Sequence, residues 1–150
     1  SNQEAKRYIE SYLAHYSGVD SYMKNIVEKA NADGYVETMF GRRRNLPELT
    51  SGKHMLRAFG ERVARNMPIQ GTAADIIKIA MIKVDERMKA EKLRARLVLQ
   101  VHDELIVEAP QDESMRVALI VQEEMENAVK MSVPLTADAA IGRTWYDAKG

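Results

Sequence analysis

Apolar positions recur every three or four residues through the first stretch of the chain: Ala5, Tyr8, Ile9, Tyr12, Leu13 and Tyr16, then Val19, Tyr22, Met23, Ile26, Val27 and Ala30. That spacing predicts two amphipathic helices, near Gln3–Tyr16 and Val19–Asn31, joined by Ser17-Gly18. The stripe of Tyr8, Tyr12 and Tyr16 reads as core or interface packing rather than as a base-stacking platform. The second helix should stop at Asp33-Gly34, where glycine can adopt the left-handed conformation. The period then changes to two. Tyr35–Met39 alternates, Phe40-Gly41 is a turn, and Arg42–Leu46 returns as a short partner strand before Pro47. Glu48–Lys53 reads as a loop.

Helical spacing resumes from about His54 to Asn66 and should end at Pro68, which lacks a donor and clashes with the preceding turn. Thr72 then reads as the N-cap of a further long helix, with Asp75 three residues on as a capping-box variant and a helix-terminus residue. Its apolar stripe is Ala73, Ile76, Ile77, Ala80, Met81, Val84 and Met88. Two β-rich runs follow, Leu97–Val101 and Leu105–Ala109, separated only by His102, Asp103 and Glu104. Tight hairpin turns favour glycine because they need positive φ, yet this tip has none. Charges placed there cost stability unless something uses them, most simply a divalent cation. A helix over about Asp112–Met131 should present Met115, Ala118, Leu119, Gln122, Met125 and Val129 to the core. Val133–Ile141 reads as a last strand, and Trp145 as a packing anchor.

Composition narrows the classes. The chain has 150 residues, enough for one compact domain or two small lobes. It has no cysteine, which excludes a disulfide framework and a thiolate metal site and fits a reducing compartment. No apolar run approaches a membrane span and no signal peptide is visible, so no membrane partner is expected. The three histidines are scattered without zinc-ligand spacing, and neither a nucleophile elbow nor a phosphate-binding glycine loop is present. Net charge is zero, but its distribution is uneven. Arg42, Arg43, Arg44, Lys53, Arg57, Arg62 and Arg65 crowd the middle, while Asp103, Glu104, Glu108, Asp112, Glu113, Glu123, Glu124 and Glu126 lie in the last third. A basic middle beside an acidic tip suits a metal-dependent enzyme acting on a polyanion; each run could equally be a solvated face.

Three stretches carry a family resemblance. They are Gly34–Arg44 with Leu46-Pro47, then Glu61–Lys78 containing Asn66-Met67-Pro68-Ile69-Gln70-Gly71-Thr72, and Gln100-Val101-His102-Asp103-Glu104-Leu105. In that order and spacing they resemble the C-terminal fingers and palm of family A DNA polymerases, the DNA polymerase I type. The resemblance covers essentially the whole chain. It implies an α+β fold: long helices packed on a small antiparallel sheet, an incomplete polymerase palm, with an N-terminal helical pair and short β-hairpin from the fingers. Residues 1–49 would be the C-terminal part of the fingers and 50–150 the C-terminal part of the palm.

The resemblance also implies roles. Asp103 would ligate magnesium in a two-metal site, Glu104 would assist, and His102 would contact the primer-terminal nucleotide. Arg62, Asn66 and Gln70, four residues apart, would read acceptors along the duplex minor groove. Arg42, Arg43 and Arg44 would contact phosphates, which planar guanidinium suits. Primer–template DNA and deoxynucleoside triphosphates are the implied partners, acting in the cytoplasm of a bacterial cell at the nucleoid.

A second family aspartate, on a stretch like Asp-Tyr-Ser-Gln-Ile-Glu, and the nucleotide-binding fingers helix do not occur here. The chain is therefore expected to be an inactive fragment whose metal site is completed by an aspartate outside it. Uncovered sheet edge and apolar surface would favour self-association. A stand-alone duplex DNA-binding module without catalysis is the rival reading, and an interaction module with neither activity a third.

Overall fold

The structure, a computed structural model, describes residues 1–149 and groups them into two compact units, Ser1–Thr72 and Ala73 onward. It is α+β: helices dominate, and the strands form two separate two-stranded antiparallel sheets.

In the first unit, α1 (Asn2–His15) and α2 (Ser17–Asp33) are the expected helical pair. Ser1 caps α1 through a reciprocal capping box with Glu4. The break falls at Tyr16, and Ser17-Gly18 already belongs to α2. Gly34 ends α2 with φ 77°, its N–H bonded to the Ala30 carbonyl, a conformation that a side chain would strain. Strand β1 (Tyr35–Glu37) then pairs with β2 (Arg43–Asn45), Val36 opposite Arg44. At the tip of this hairpin the buried Thr38 hydroxyl accepts hydrogen bonds from the Phe40 and Arg42 amides. A single 3-10 turn, Pro47–Thr50, occupies part of the expected loop. Ala30, Val36, Leu46, Leu49 and Ala64 form the core, with Ile26, Val27, Val63 and Met67 against it.

The tyrosine stripe does not join that core. Tyr8 is 71% exposed, and the Tyr12 and Tyr16 rings meet in a tilted contact at 4.8 Å between centroids. The core is built from α2, the hairpin and the next helix, so only Leu13 of α1 is half-buried among its described side chains.

The largest departure from expectation is at Pro68. Helix α3 (His54–Ala90) runs unbroken through it. Proline there removes one i→i−4 bond and costs about 3 kcal/mol. Residues on the preceding turns, Val63, Ala64 and Met67, are packed into the first core and hold the helix in line. Thr72 is consequently not an N-cap. Its hydroxyl donates back to the Pro68 carbonyl at 2.5 Å and accepts from the Met39 amide at 3.0 Å. Asp75 likewise lies inside α3 rather than at a helix start.

The second unit packs the rest of α3 and α4 (Ser114–Glu126) on the hairpin of β3 (Arg96–Val101) and β4 (Glu104–Glu108). Val84, Met88, Val117 and Ile120 are buried, with Leu97, Leu105, Val107 and Val121 closing the cluster. The face of α4 differs from the predicted one: Val117 and Ile120 point inward, while Met115 is 71% and Leu119 49% exposed. Apolar residues lie on both sides of this helix, and only the partner elements choose between them. The helix is also shorter than predicted. The Asn127 side chain donates to the Glu123 carbonyl, competing with the backbone at the C-terminus.

The predicted strand Val133–Ile141 is absent among the described residues. A strand needs a ladder partner, and both hairpins pair internally. This segment is tied instead through the Ala137 amide to Glu126. It leads to the short helix α5 (Trp145–Ala148), capped by Thr144 and Asp147. Trp145 remains 45% exposed and so is not a core anchor.

Candidate functional site

Two sets of residues matter, one in each unit. In the first, the continuity of α3 puts Arg62, Asn66 and Gln70 on one exposed face. Each four-residue step advances about 6 Å along the axis, near the length of two base-pair steps of ~3.4 Å. Amide and guanidinium groups at that interval can donate to acceptors that every base pair offers in the minor groove. Among the described residues Asn66 and Gln70 make no side-chain hydrogen bond, so their donors are available. The Arg62 guanidinium lies 5.9 Å from the Phe59 ring centroid.

The three hairpin arginines are not equivalent. Arg42 donates to the Gly71 carbonyl at 3.0 Å, tying the hairpin tip to α3. Arg43 pairs with Glu37 at 3.2 Å and covers the Tyr35 ring at 4.4 Å. Arg44 is exposed and pairs with no acidic side chain among the described residues. Strand alternation sends neighbouring side chains to opposite faces, which is why three successive arginines meet three different environments.

In the second unit, the β3–β4 turn is a two-residue tip, His102-Asp103, closed by the Val101–Glu104 pair. His102 has φ 53°, the left-handed value that glycine would take without strain. The Gln100 side chain donates to the His102 carbonyl at 2.6 Å and braces the turn. A bulge between Leu97 and Leu99 shifts the register by one residue, so Gln100 rather than Leu99 lies opposite Leu105. Val101 is thereby paired with Glu104 and closes the turn.

His102 and Asp103 are exposed. Glu104 is half-buried, and its Oε1 lies 3.4 Å from the Lys149 Nζ, which also sits 5.4 Å from the Trp145 ring centroid. Lys149 gave no signal in the sequence, because its partner is forty-five residues away in the chain. Among the described residues the tip thus offers one carboxylate without a cationic partner, Asp103, beside one that is already paired. Among the described residues no cluster of three metal-ligand side chains exists. Magnesium binds through one or two carboxylates with the remainder of its shell from water and phosphates. The donors present fit one edge of such a site and need a further ligand to complete it. Among the described residues no helix is long and apolar enough to cross a membrane.

Comparison with known proteins covers both stretches of the chain. The profile of DNA polymerase family A matches residues 1–147. The chain is 54% identical over 149 residues to DNA polymerase I of Bacillus caldotenax and 50% identical over 149 residues to that of Bacillus subtilis, covering 99% of this chain each time. It spans only 17% of the length of each of these relatives. Among solved structures it superposes on the POL domain of Pol1 from M. smegmatis in complex with DNA primer-template and dNTP. There the TM-score is 0.95 at 46% identity, over 100% of this chain and 26% of the other. The match runs through both hairpins and the long helix that carries Arg62, Asn66 and Gln70, and this chain belongs to DNA polymerase family A.

Proposed function

We propose that this chain is part of a template-directed DNA polymerase, with residues 1–49 contributing to its fingers and 50–150 to its palm. The observation that carries the reading is the unbroken passage of α3 through Pro68, which keeps Arg62, Asn66 and Gln70 in one exposed row. A row of uncharged and cationic donors on one helix face checks duplex shape without reading sequence. Arg44 is the hairpin arginine assigned to a phosphate, since Arg42 and Arg43 already have partners. In the second unit Asp103 would hold a magnesium ion, with the rest of the site supplied from outside this chain. Bound there, the metal would supply charge neutralisation at the attacking and departing oxygens of nucleotidyl transfer. Glu104, paired with Lys149, supports the tip. His102, held in a left-handed backbone conformation at the turn, would contact the primer-terminal nucleotide.

The test is primer extension by the polymerase containing this chain and by its Asp103→Asn variant, with duplex binding measured alongside. Asparagine keeps the shape and removes the charge. Loss of several kcal/mol of transition-state charge stabilisation slows extension by about 10²-fold or more, with primer–template affinity within a few-fold of the parent. Extension at the parental rate would overturn the assignment of Asp103. The chain by itself, holding one edge of the metal site, should not extend a primer.

A further inference from the structure

The turn of α3 that follows Pro68 meets the tip of the β1–β2 hairpin through three independent contacts. The buried Thr72 hydroxyl accepts from the Met39 amide at 3.0 Å while donating to the Pro68 carbonyl. The Arg42 guanidinium donates to the Gly71 carbonyl at 3.0 Å. Gly71 is packed so closely on the hairpin that a Cβ there would lie 2.7 Å from Thr38 Cγ2. Thr38 is itself buried and organises the tip, accepting from the Phe40 and Arg42 amides. Gln70, the last member of the exposed row, immediately precedes this junction.

We infer that Gly71 and Thr72 form a latch that fixes the hairpin, with Arg44 on its returning strand, in register with the Arg62–Asn66–Gln70 row, and are positioning residues for primer–template binding. The inference rests on the proposed polymerase reading and adds to it residues that touch no DNA. One hydroxyl serves both partners. It satisfies the hairpin amide and bonds the carbonyl at the proline turn, so hairpin placement and local helix geometry are set together. A latch of this kind acts on where two DNA-contacting elements sit relative to each other, and so on affinity for the duplex more than on turnover.

Thr72→Val keeps the shape and removes the hydroxyl; Thr72→Ser keeps the hydroxyl. In the polymerase containing this chain, at a temperature where each variant is folded by circular dichroism, Thr72→Val should weaken primer–template binding about five- to tenfold. It should raise KM for the primer–template while leaving kcat within about twofold of the parent, and speed hydrogen exchange at the Met39 amide. Thr72→Ser should restore all three. A second pair guards against a misfolded valine variant. Gly71→Ala should weaken binding by pushing on Thr38, and Gly71→Ala with Thr38→Ser, which removes the opposing methyl and keeps the hydroxyl, should recover it. If the parent binds primer–template and Thr72→Val loses only thermal stability, with affinity unchanged, the latch is overturned and the polymerase reading stands. Failure of the double variant to recover would overturn it equally. If the parent itself does not bind primer–template, the polymerase reading fails and takes the positioning role with it.

Discussion

At His102 the backbone is held at φ 53° by a two-residue turn in which glycine would be the unstrained choice. For an L-residue that conformation costs about 1–2 kcal/mol, and replacement by glycine adds back about 0.5–1 kcal/mol of chain entropy. His102→Gly should therefore stabilise the chain slightly, by up to about 1 kcal/mol, as read by urea unfolding. Primer extension by the polymerase containing it should fall at the same time. A loss of stability would mean that the imidazole holds the turn, and the functional reading of the strain would fail. Part of this was legible beforehand: a glycine-free tip carrying His102, Asp103 and Glu104 is conspicuous in any reading of the chain. The pairing of Glu104 with Lys149 was not, because no local pattern links residues so far apart.

For the elements, the decisive feature is α3. A reading based on helix termini divides it at Pro68 and places a cap at Thr72, since proline and threonine are local stop and start signals. Packing of Val63, Ala64 and Met67 on one side of the proline outweighs the lost bond. Pro68→Ala restores that bond, worth up to about 3 kcal/mol in a helix interior. It also returns freedom to the unfolded chain, about 0.4–1 kcal/mol. The expected net is a stabilisation of about 1–2 kcal/mol in denaturant unfolding. Unchanged or lower stability would show that the proline turn is already compensated locally. The periodicity of α4 was equally visible, but its inward face was not: both faces carry apolar residues, and Val117 and Ile120 were chosen over Met115 and Leu119 by what they meet.

Across the whole chain, charge is laid out as networks that join elements within a unit. Arg87 bonds Glu124, Glu123 and Glu91, and its guanidinium is held firmly protonated by the first of these. Arg116 in α4 donates twice to Glu91, just past the end of α3. That bond, ahead of the opposing effect of desolvation and the help of Arg87, holds the Glu91 carboxyl below the usual carboxylate range. A depressed folded pKa gives stability that is present above the unfolded value and is lost as pH falls through the folded one. The stability difference between the parent and Arg116→Gln should accordingly be largest at neutral pH and vanish in acid. Denaturant unfolding over a pH series reads it directly. A difference independent of pH would remove Glu91 from the account.

Sequence alone determined whatever is local. The helical pair, the cap at Gly34, both hairpins and the four-residue spacing of Arg62, Asn66 and Gln70 follow from periodicity and turn chemistry within a few residues. Only the tertiary structure decided whether that spacing survives Pro68, which face of α4 is buried, and how the bulge at Val98 turns the end of β3. It also decided that Val133–Ile141 finds no strand to pair with among the described residues, that the tyrosines of α1 stay in solvent, and that three consecutive arginines meet three different environments. Each of these depends on a free-energy balance between groups distant in the chain, where burial and pairing outweigh local propensity.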